Sequence, residues 1–183
     1  ITILEFGSHF LPKEDEDVCE EIYKFLTKEK IKIFSDAHVS KVKKTAKGIS
    51  ATVSISGKTK NISCSHILIA TGRTPNTDIL NLKAAGVKTD ERGHVIVNNK
   101  LETNVKNIYA LGDIKGGPEF THISYNDYIV LTENLINKAN RTIKNRMVPY
   151  CMFTDPQLGR IGITENEALE KGLNKKIAVL PMT

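Results

Sequence analysis

The chain begins with an apolar, β-branched run, ITILEF, that stops at Glu5 and a Gly-Ser pair, and a second such run, IKIF, starts at Ile31. Short apolar runs bounded by turn residues read as buried strands. Between them Val18, Ile22, Phe25 and Leu26 are spaced for one face of a helix. The acidic cluster Glu14, Asp15, Glu16 and Asp17 sits where that helix begins, and the helix dipole favours carboxylates there. Strand, helix and strand at such short intervals predict a parallel α/β unit, because parallel neighbours need a crossover between them.

The period then changes from helical to alternating. HVSKVKK, GISATVSISG and KTKNISCSH alternate apolar with polar residues around Gly48 and Gly57, which predicts a small antiparallel meander. The basic group KVKK, Lys41 to Lys44, reads as the solvated face of one of its strands. Next, HILIATGRTPN predicts a buried strand from Ile67 to Ala70 that ends at Thr71-Gly72, since Pro75 forbids a central strand beyond it. A short helix over Ile79 to Ala85 closing at Gly86, and a hairpin turning at Arg92-Gly93, are expected after that.

A further apolar run, Ile108 to Leu111, ends at Gly112-Asp113 and passes through Gly116, Gly117 and Pro118 into a helix starting near Thr121 and reaching about Lys138. Ser124 and Asp127 are expected as a capping pair for that helix. The polar stretch Asn137 to Met147 reads as a linker. Beyond it come two short strands about Asp155-Pro156, a helix capped by Thr164 and stopped at Gly172, and a last strand, KKIAVLPM. The chain opens and closes on strands without caps and reads as a piece of a longer polypeptide.

Composition narrows the function. Of 183 residues, 40% are apolar and 26% charged, as in an ordinary globular protein. No stretch approaches the ~18 to 20 consecutive apolar residues of a membrane span, and ITILEF lacks the basic leader of a signal peptide. A cytoplasmic protein without a membrane partner is expected. The net charge of +5 comes from scattered lysines, not from a basic stripe interleaved with aromatics, so no nucleic-acid partner is expected. Cys19, Cys64 and Cys151 are odd in number and widely separated, which indicates neither a disulfide framework nor a metal site.

Three places can carry chemistry. Glu5, at the carboxyl end of a strand in an α/β unit, lies where such sheets bind ligands. A carboxylate there can accept both hydrogen bonds of a ribose diol; it can equally be an acid in water. ATGRTPN, Ala70 to Asn76, combines small residues that permit close approach with an enforced turn; a bare turn explains it too. Asp113 projects beyond its strand, where a hydroxylated ligand could be held, and the helix start near Thr121 offers free N–H groups to an anion. Asp113 as a turn residue and His122 as a surface histidine are the simpler readings of those two positions.

Taken in order, ILIATGRTPNT, NIYALGDI and MFTDPQLGRIGITENEA resemble three signatures of the flavoprotein pyridine nucleotide-disulfide oxidoreductases, the family of dihydrolipoamide dehydrogenase, glutathione reductase and mercuric reductase. The resemblance covers essentially the whole chain. GDIKGGPEFTHISYNDYIVL is most similar to the mercuric-reductase-like branch, with bacterial flavoproteins of hypohalous and hypothiocyanous acid stress. It implies an α/β fold comprising part of two Rossmann-like dinucleotide-binding domains for FAD and NAD(P), the antiparallel meander, and the start of an α+β dimerisation domain. Residues 1–71 would close the NAD(P)-binding domain, 72–145 form the second segment of the FAD-binding domain, and 146–183 open the dimerisation domain.

Carried onto this sequence, the resemblance implies that Glu5 binds the adenosine ribose of the nicotinamide dinucleotide. Phe6, Gly7 and Ser8 include no arginine to hold a 2′-phosphate, which favours NADH over NADPH, with His9 the nearest residue able to upset that preference. Thr71 and Gly72 would mark the crossing between the two cofactor domains. Gly112 and Asp113 would hold FAD, Asp113 through a ribityl hydroxyl, with Phe120, Thr121 and His122 beside the flavin pyrimidine ring.

The family's redox-active C-x4-C and its His-x4-Glu pair are not among these residues, so no catalytic residue and no metal ligand is assigned, and His122 is not given the acid-base role. The implied parent is an FAD-dependent NAD(P)H oxidoreductase and homodimer, acting through a cysteine pair on a disulfide, metal ion or oxidised sulfur substrate. The chain by itself is expected to be inactive. Two alternatives remain: an NADH oxidase or quinone reductase without the cysteine pair, or a non-catalytic nucleotide-binding or dimerisation module.

Overall fold

A computed structural model describes residues 1–180. The chain divides into two compact units, Ile1–Ala70 with Ile163–Thr183, and Thr71–Gly162.

In the first unit β1 (Thr2–Leu4) pairs in parallel with β2 (Lys32–Phe34), joined by α1 (Glu16–Lys28). This is the predicted α/β unit. Ile22 is buried on α1, with Val18, Phe25 and Leu26 half-buried around it, so the 3.6-residue spacing selects the face turned inward. The expected meander follows as β3 (Ala37–Thr45), β4 (Gly48–Ile55) and β5 (Lys58–Cys64), antiparallel throughout. A bulge between Val39 and Lys41 shifts its register, and Lys41, Lys43 and Lys44 are exposed as expected.

The core of this unit lies where β4 meets β1 and β2. Ala37, Ala51 and Val53 are buried together, with Leu4, Phe34, Ile55 and Ile62 packed against them. Fully enclosing a valine such as Val53 contributes ~1.5 to 3 kcal/mol.

The second unit is poorer in regular structure than the sequence suggests. The expected hairpin about Arg92-Gly93 reduces to an isolated bridge between Thr89 and Val95, and the short helix to a 3-10 turn, Asp78–Leu80, followed by turns to Gly86. Ile108 to Leu111 forms a bridge only at Tyr109, to Glu102, yet Ala110 is buried with Val87 and Val95. A second 3-10 turn, Gly112–Lys115, leads to α2 (Thr121–Leu135), which starts where predicted and stops short of Lys138. Two short antiparallel strands, β6 (Tyr150–Met152) and β7 (Leu158–Arg160), flank Asp155-Pro156.

Residues from Ile163 belong to the first unit. There α3 (Glu165–Glu170) is capped by Thr164 in a reciprocal capping box with Glu167. Asp15 accepts the Glu165 N–H with both carboxylate oxygens, at 3.0 Å each, across 150 positions of sequence.

Besides the Ile108 to Leu111 run and the Arg92-Gly93 hairpin, which keep one bridge each, two further expected strands are absent. Ile67 to Ala70 forms no strand, and Leu68 and Ile69 are 90% and 79% exposed. An apolar run becomes a strand only when a neighbour pairs its N–H and C=O groups, and no strand among the described residues does so. Residues 173–180 likewise have no regular structure; the end of that expected strand lies outside the described residues. No helix among the described residues is long and apolar enough to cross a membrane.

Candidate functional site

The turn that leads from the Ile108–Leu111 run into α2 is organised around a carboxylate that the sequence reading placed elsewhere. Asp127 does not cap α2. It sits in the second turn, on the same face as Ile123 and Val130, and is completely buried. Its Oδ2 accepts the Gly112 N–H at 2.9 Å and lies 3.3 Å from Lys115 Nζ. Its Oδ1 accepts from the Arg146 guanidinium, which also donates to Asn126 Oδ1 at 3.2 Å. A carboxylate on the apolar face of a helix is tolerable only when paired and hydrogen-bonded, and here both conditions are met.

Two of the predicted residues, Gly112 and Asp113, open the 3-10 turn held in this way. Gly112 has φ of 72°, and a Cβ on it would stand 3.0 Å from Ser124 Oγ, so position and space both call for glycine. Asp113 is half-exposed; Ser124 Oγ donates to its Oδ1 at 3.5 Å, and Arg73 Nη1 approaches its Oδ2 at 3.6 Å. Arg73 also faces Glu119 at 3.9 Å. The same hydroxyl lies 3.4 Å from the Phe120 carbonyl, so Asp113 and the helix backbone compete for its one proton; Ser124 does not cap the helix.

The start of α2 has no side-chain cap and no acidic residue in its first turn. Its leading N–H groups keep their partial positive charge, worth ~0.3 to 1 kcal/mol toward an anion. Phe120, Thr121 and His122 are exposed around it. The Phe120 ring stacks on His122 at 5.3 Å and on Tyr150 at 5.9 Å, and Arg160 lies over Tyr150 at 4.8 Å. A hydroxyl-accepting carboxylate beside an uncapped helix start fits a polyhydroxylated ligand with an anion-forming ring, as FAD is.

Glu5 occupies the end of β1 in the other unit. Its Oε1 accepts the Gly7 N–H at 2.8 Å, while Oε2 has no partner among the described residues. Its backbone is held by bonds to Phe34 and from Ala37, each 2.9 Å. This half-buried carboxylate, fixed through one oxygen and open at the other, fits a ribose hydroxyl. Phe6 is 72% exposed and meets His38 edge-on at 4.3 Å. Thr71 and Gly72 are exposed, Gly72 has φ of 117°, and a Cβ on it would meet nothing within 4 Å.

A cavity of about 440 Å³ opens between the loop at His9 to Pro12 and α1. Its Cys19 thiol is pushed upward by burial, then by Glu16, Glu14, Asp15 and Asp17, the opposite of an activated thiolate. All three cysteines are free, and the described residues contain no group of side chains able to hold a metal.

The pyridine nucleotide-disulphide oxidoreductase profile matches residues 1–127. The chain belongs to this family. It is 34% identical over 182 residues to mercuric reductase of Staphylococcus aureus, covering 100% of this chain and 33% of that protein. It is 36% identical over 183 residues to the probable pyridine nucleotide-disulfide oxidoreductase RclA of Escherichia coli K12, covering 100% of this chain and 41% of that one. The solved structure of the HOCl-induced flavoprotein disulfide reductase RclA from Escherichia coli superposes with a TM-score of 0.86, over 93% of this chain and 39% of that chain. The fold is thus the Rossmann-like FAD/NAD-binding one of this oxidoreductase family, and the chain spans a third to two-fifths of the length of these relatives.

Sequence reasoning missed Lys115, Arg146 and Arg73, and misplaced Asp127. One signal was available: Asp127 lies four residues after Ile123 and three before Val130, a charge inside an apolar helical stripe.

Proposed function

We propose that this chain supplies parts of two cofactor sites in an FAD-dependent NAD(P)H oxidoreductase, which passes electrons from NAD(P)H through FAD to a cysteine pair and then to a disulfide, metal ion or oxidised sulfur compound. The observation that carries the reading is the half-exposed Asp113 at the end of its apolar run, beside the uncapped start of α2. FAD, when bound, supplies the two-electron chemistry itself.

The residues have separate tasks. Asp113 accepts a ribityl hydroxyl, and Gly112 lets the backbone come close. Phe120, Thr121 and His122 border the pyrimidine ring, where the N–H groups of α2 favour negative charge on the reduced ring. Glu5 accepts the adenosine ribose hydroxyls through its open oxygen. With no arginine at Phe6, Gly7 or Ser8, NADH is favoured over NADPH. Thr71-Gly72 is the crossing from the NAD(P)-binding part, 1–71, to the FAD-binding part, 72–145, and residues 146–183 open a domain that forms a homodimer. The protein works in the cytoplasm.

Mercuric reductase acts on mercury, and RclA is a disulfide reductase induced by HOCl; both support the substrate class. The test compares the 183-residue chain with the longer polypeptide that contains it, by flavin absorbance and NADH-dependent dye reduction. The longer form should bind FAD and turn over, and the chain alone should not. Turnover by the chain alone, or a well-folded longer form that takes up no FAD, overturns the proposal.

A further inference from the structure

We infer that Asp127 is a positioning residue for the flavin anchor, acting on Asp113 through the backbone of the turn that carries it; this rests on the FAD reading of the second unit. One oxygen of Asp127, Oδ2, holds both ends of the four-residue turn Gly112–Lys115: the Gly112 N–H at 2.9 Å and Lys115 Nζ at 3.3 Å. Asp113 lies between those two points. Lys115 Nζ also donates to the Gly116 carbonyl at 3.1 Å, so the lysine closes the far end of the turn while facing Asp127.

The other oxygen, Oδ1, is taken by Arg146, which leaves Asp127 no freedom to rotate away. Asp127 side-chain exposure is 0%, and that of Lys115 is 5%, so water cannot replace either partner. About one helical turn earlier on α2, Ser124 Oγ lies within reach of the Asp113 carboxylate at 3.5 Å, sharing its proton with the Phe120 carbonyl at 3.4 Å. Asp127 therefore sets the turn from α2 through its backbone, with Ser124 of the same helix beside the Asp113 side chain. The start of that helix is the proposed electrostatic partner of the reduced ring, so ribityl anchor and ring partner share one frame. A functional group must be held to within about half an ångström to act, and a buried, fully used carboxylate provides that.

The experiment uses the complete flavoprotein with Asp127→Asn. The expected result is an FAD dissociation constant raised at least tenfold, with a shifted flavin visible spectrum, while ADP-ribose, a probe of the Glu5 site that carries no nicotinamide to donate hydride, binds within twofold of the parent. FAD affinity and spectrum unchanged in a folded variant overturn the inference, as does equal weakening of FAD and ADP-ribose, the mark of a merely structural role. If Asp127→Asn does not fold, Lys115→Met releases only the far end of the turn and leaves Asp127 paired with Arg146. It should weaken FAD several-fold, and no change overturns the inference. A parent protein that binds no FAD sinks the functional reading and this inference together, whereas a parent that binds FAD with both variants unaffected sinks this inference alone.

Discussion

The Asp127 carboxylate, buried in the second turn of α2, accepts the backbone N–H of Gly112, 15 residues earlier in the chain, at 2.9 Å. This bond joins the end of the Ile108–Leu111 run to the helix that follows it.

Gly112→Ala tests how closely that junction is fitted. An alanine at φ of 72° costs ~1 to 2 kcal/mol for its left-handed backbone, and its Cβ would stand 3.0 Å from Ser124 Oγ. The variant should unfold at lower denaturant in proportion. Adding Ser124→Ala should recover part of the loss by removing the contact; a double-mutant cycle with no coupling between the two would refute the close fit.

Glu5→Ala addresses the nicotinamide side. Hydrogen bonds to a charged group contribute ~1.5 to 3 kcal/mol, so in the longer polypeptide the KM for NADH should rise by tenfold or more at nearly unchanged kcat. NADPH should suffer less, since its 2′-phosphate makes poor use of a carboxylate. Steady-state kinetics with both nucleotides decides it, and equal losses would argue against a ribose contact.

The turn at Asp90 should weaken in acid. Burial pushes its carboxyl up, but the N–H bonds from His94 and Arg92 and the His94 ring, at 3.1 Å, outweigh that and leave it below its usual value of 3.8. A depressed carboxyl contributes stability that is present above its unfolded pKa and lost as pH falls through the folded one. NMR titration of the Asp90 side-chain carboxyl should therefore show a midpoint below its usual 3.8, and a midpoint above that value would contradict the bonding.

Cys19 should be a slow thiol. Its Sγ lies 3.4 Å from the Leu11 carbonyl and 3.7 Å from that of Glu14, and burial with four acidic neighbours raises it above 9.0. Iodoacetamide should alkylate it more slowly at neutral pH than a small-molecule thiol. Because the folded value is the raised one, the associated stability holds below pH 9.0 and is lost as pH climbs through the folded pKa. Fast alkylation by the native protein would show the thiol to be open and activated.

Where neighbours in sequence are neighbours in space, the fold was legible. The β1–α1–β2 unit, the meander, the start of α2 and the Thr164 cap all follow from periodicity, turn residues and helix-end chemistry within a few positions. Ile67–Ala70 was not, because its apolar run specifies an appetite for a partner strand and not the partner's presence. Of the expected site residues, Glu5 follows β1 and Thr121 opens α2, as local pattern suggested, whereas Gly112 and Asp113 open a 3-10 turn after a run that keeps only one bridge.

The sequence by itself determined the parallel α/β opening, which is written in local spacing and residue type, and carried the resemblance that pointed to the family. Only the tertiary structure decided what Asp127 does. A carboxylate in a helix reads as a cap or a surface charge until folding brings Lys115, Arg146 and the Gly112 amide around it. Those groups lie 12, 19 and 15 residues away along the chain, too far for local periodicity to report, and burial makes their pairing obligatory.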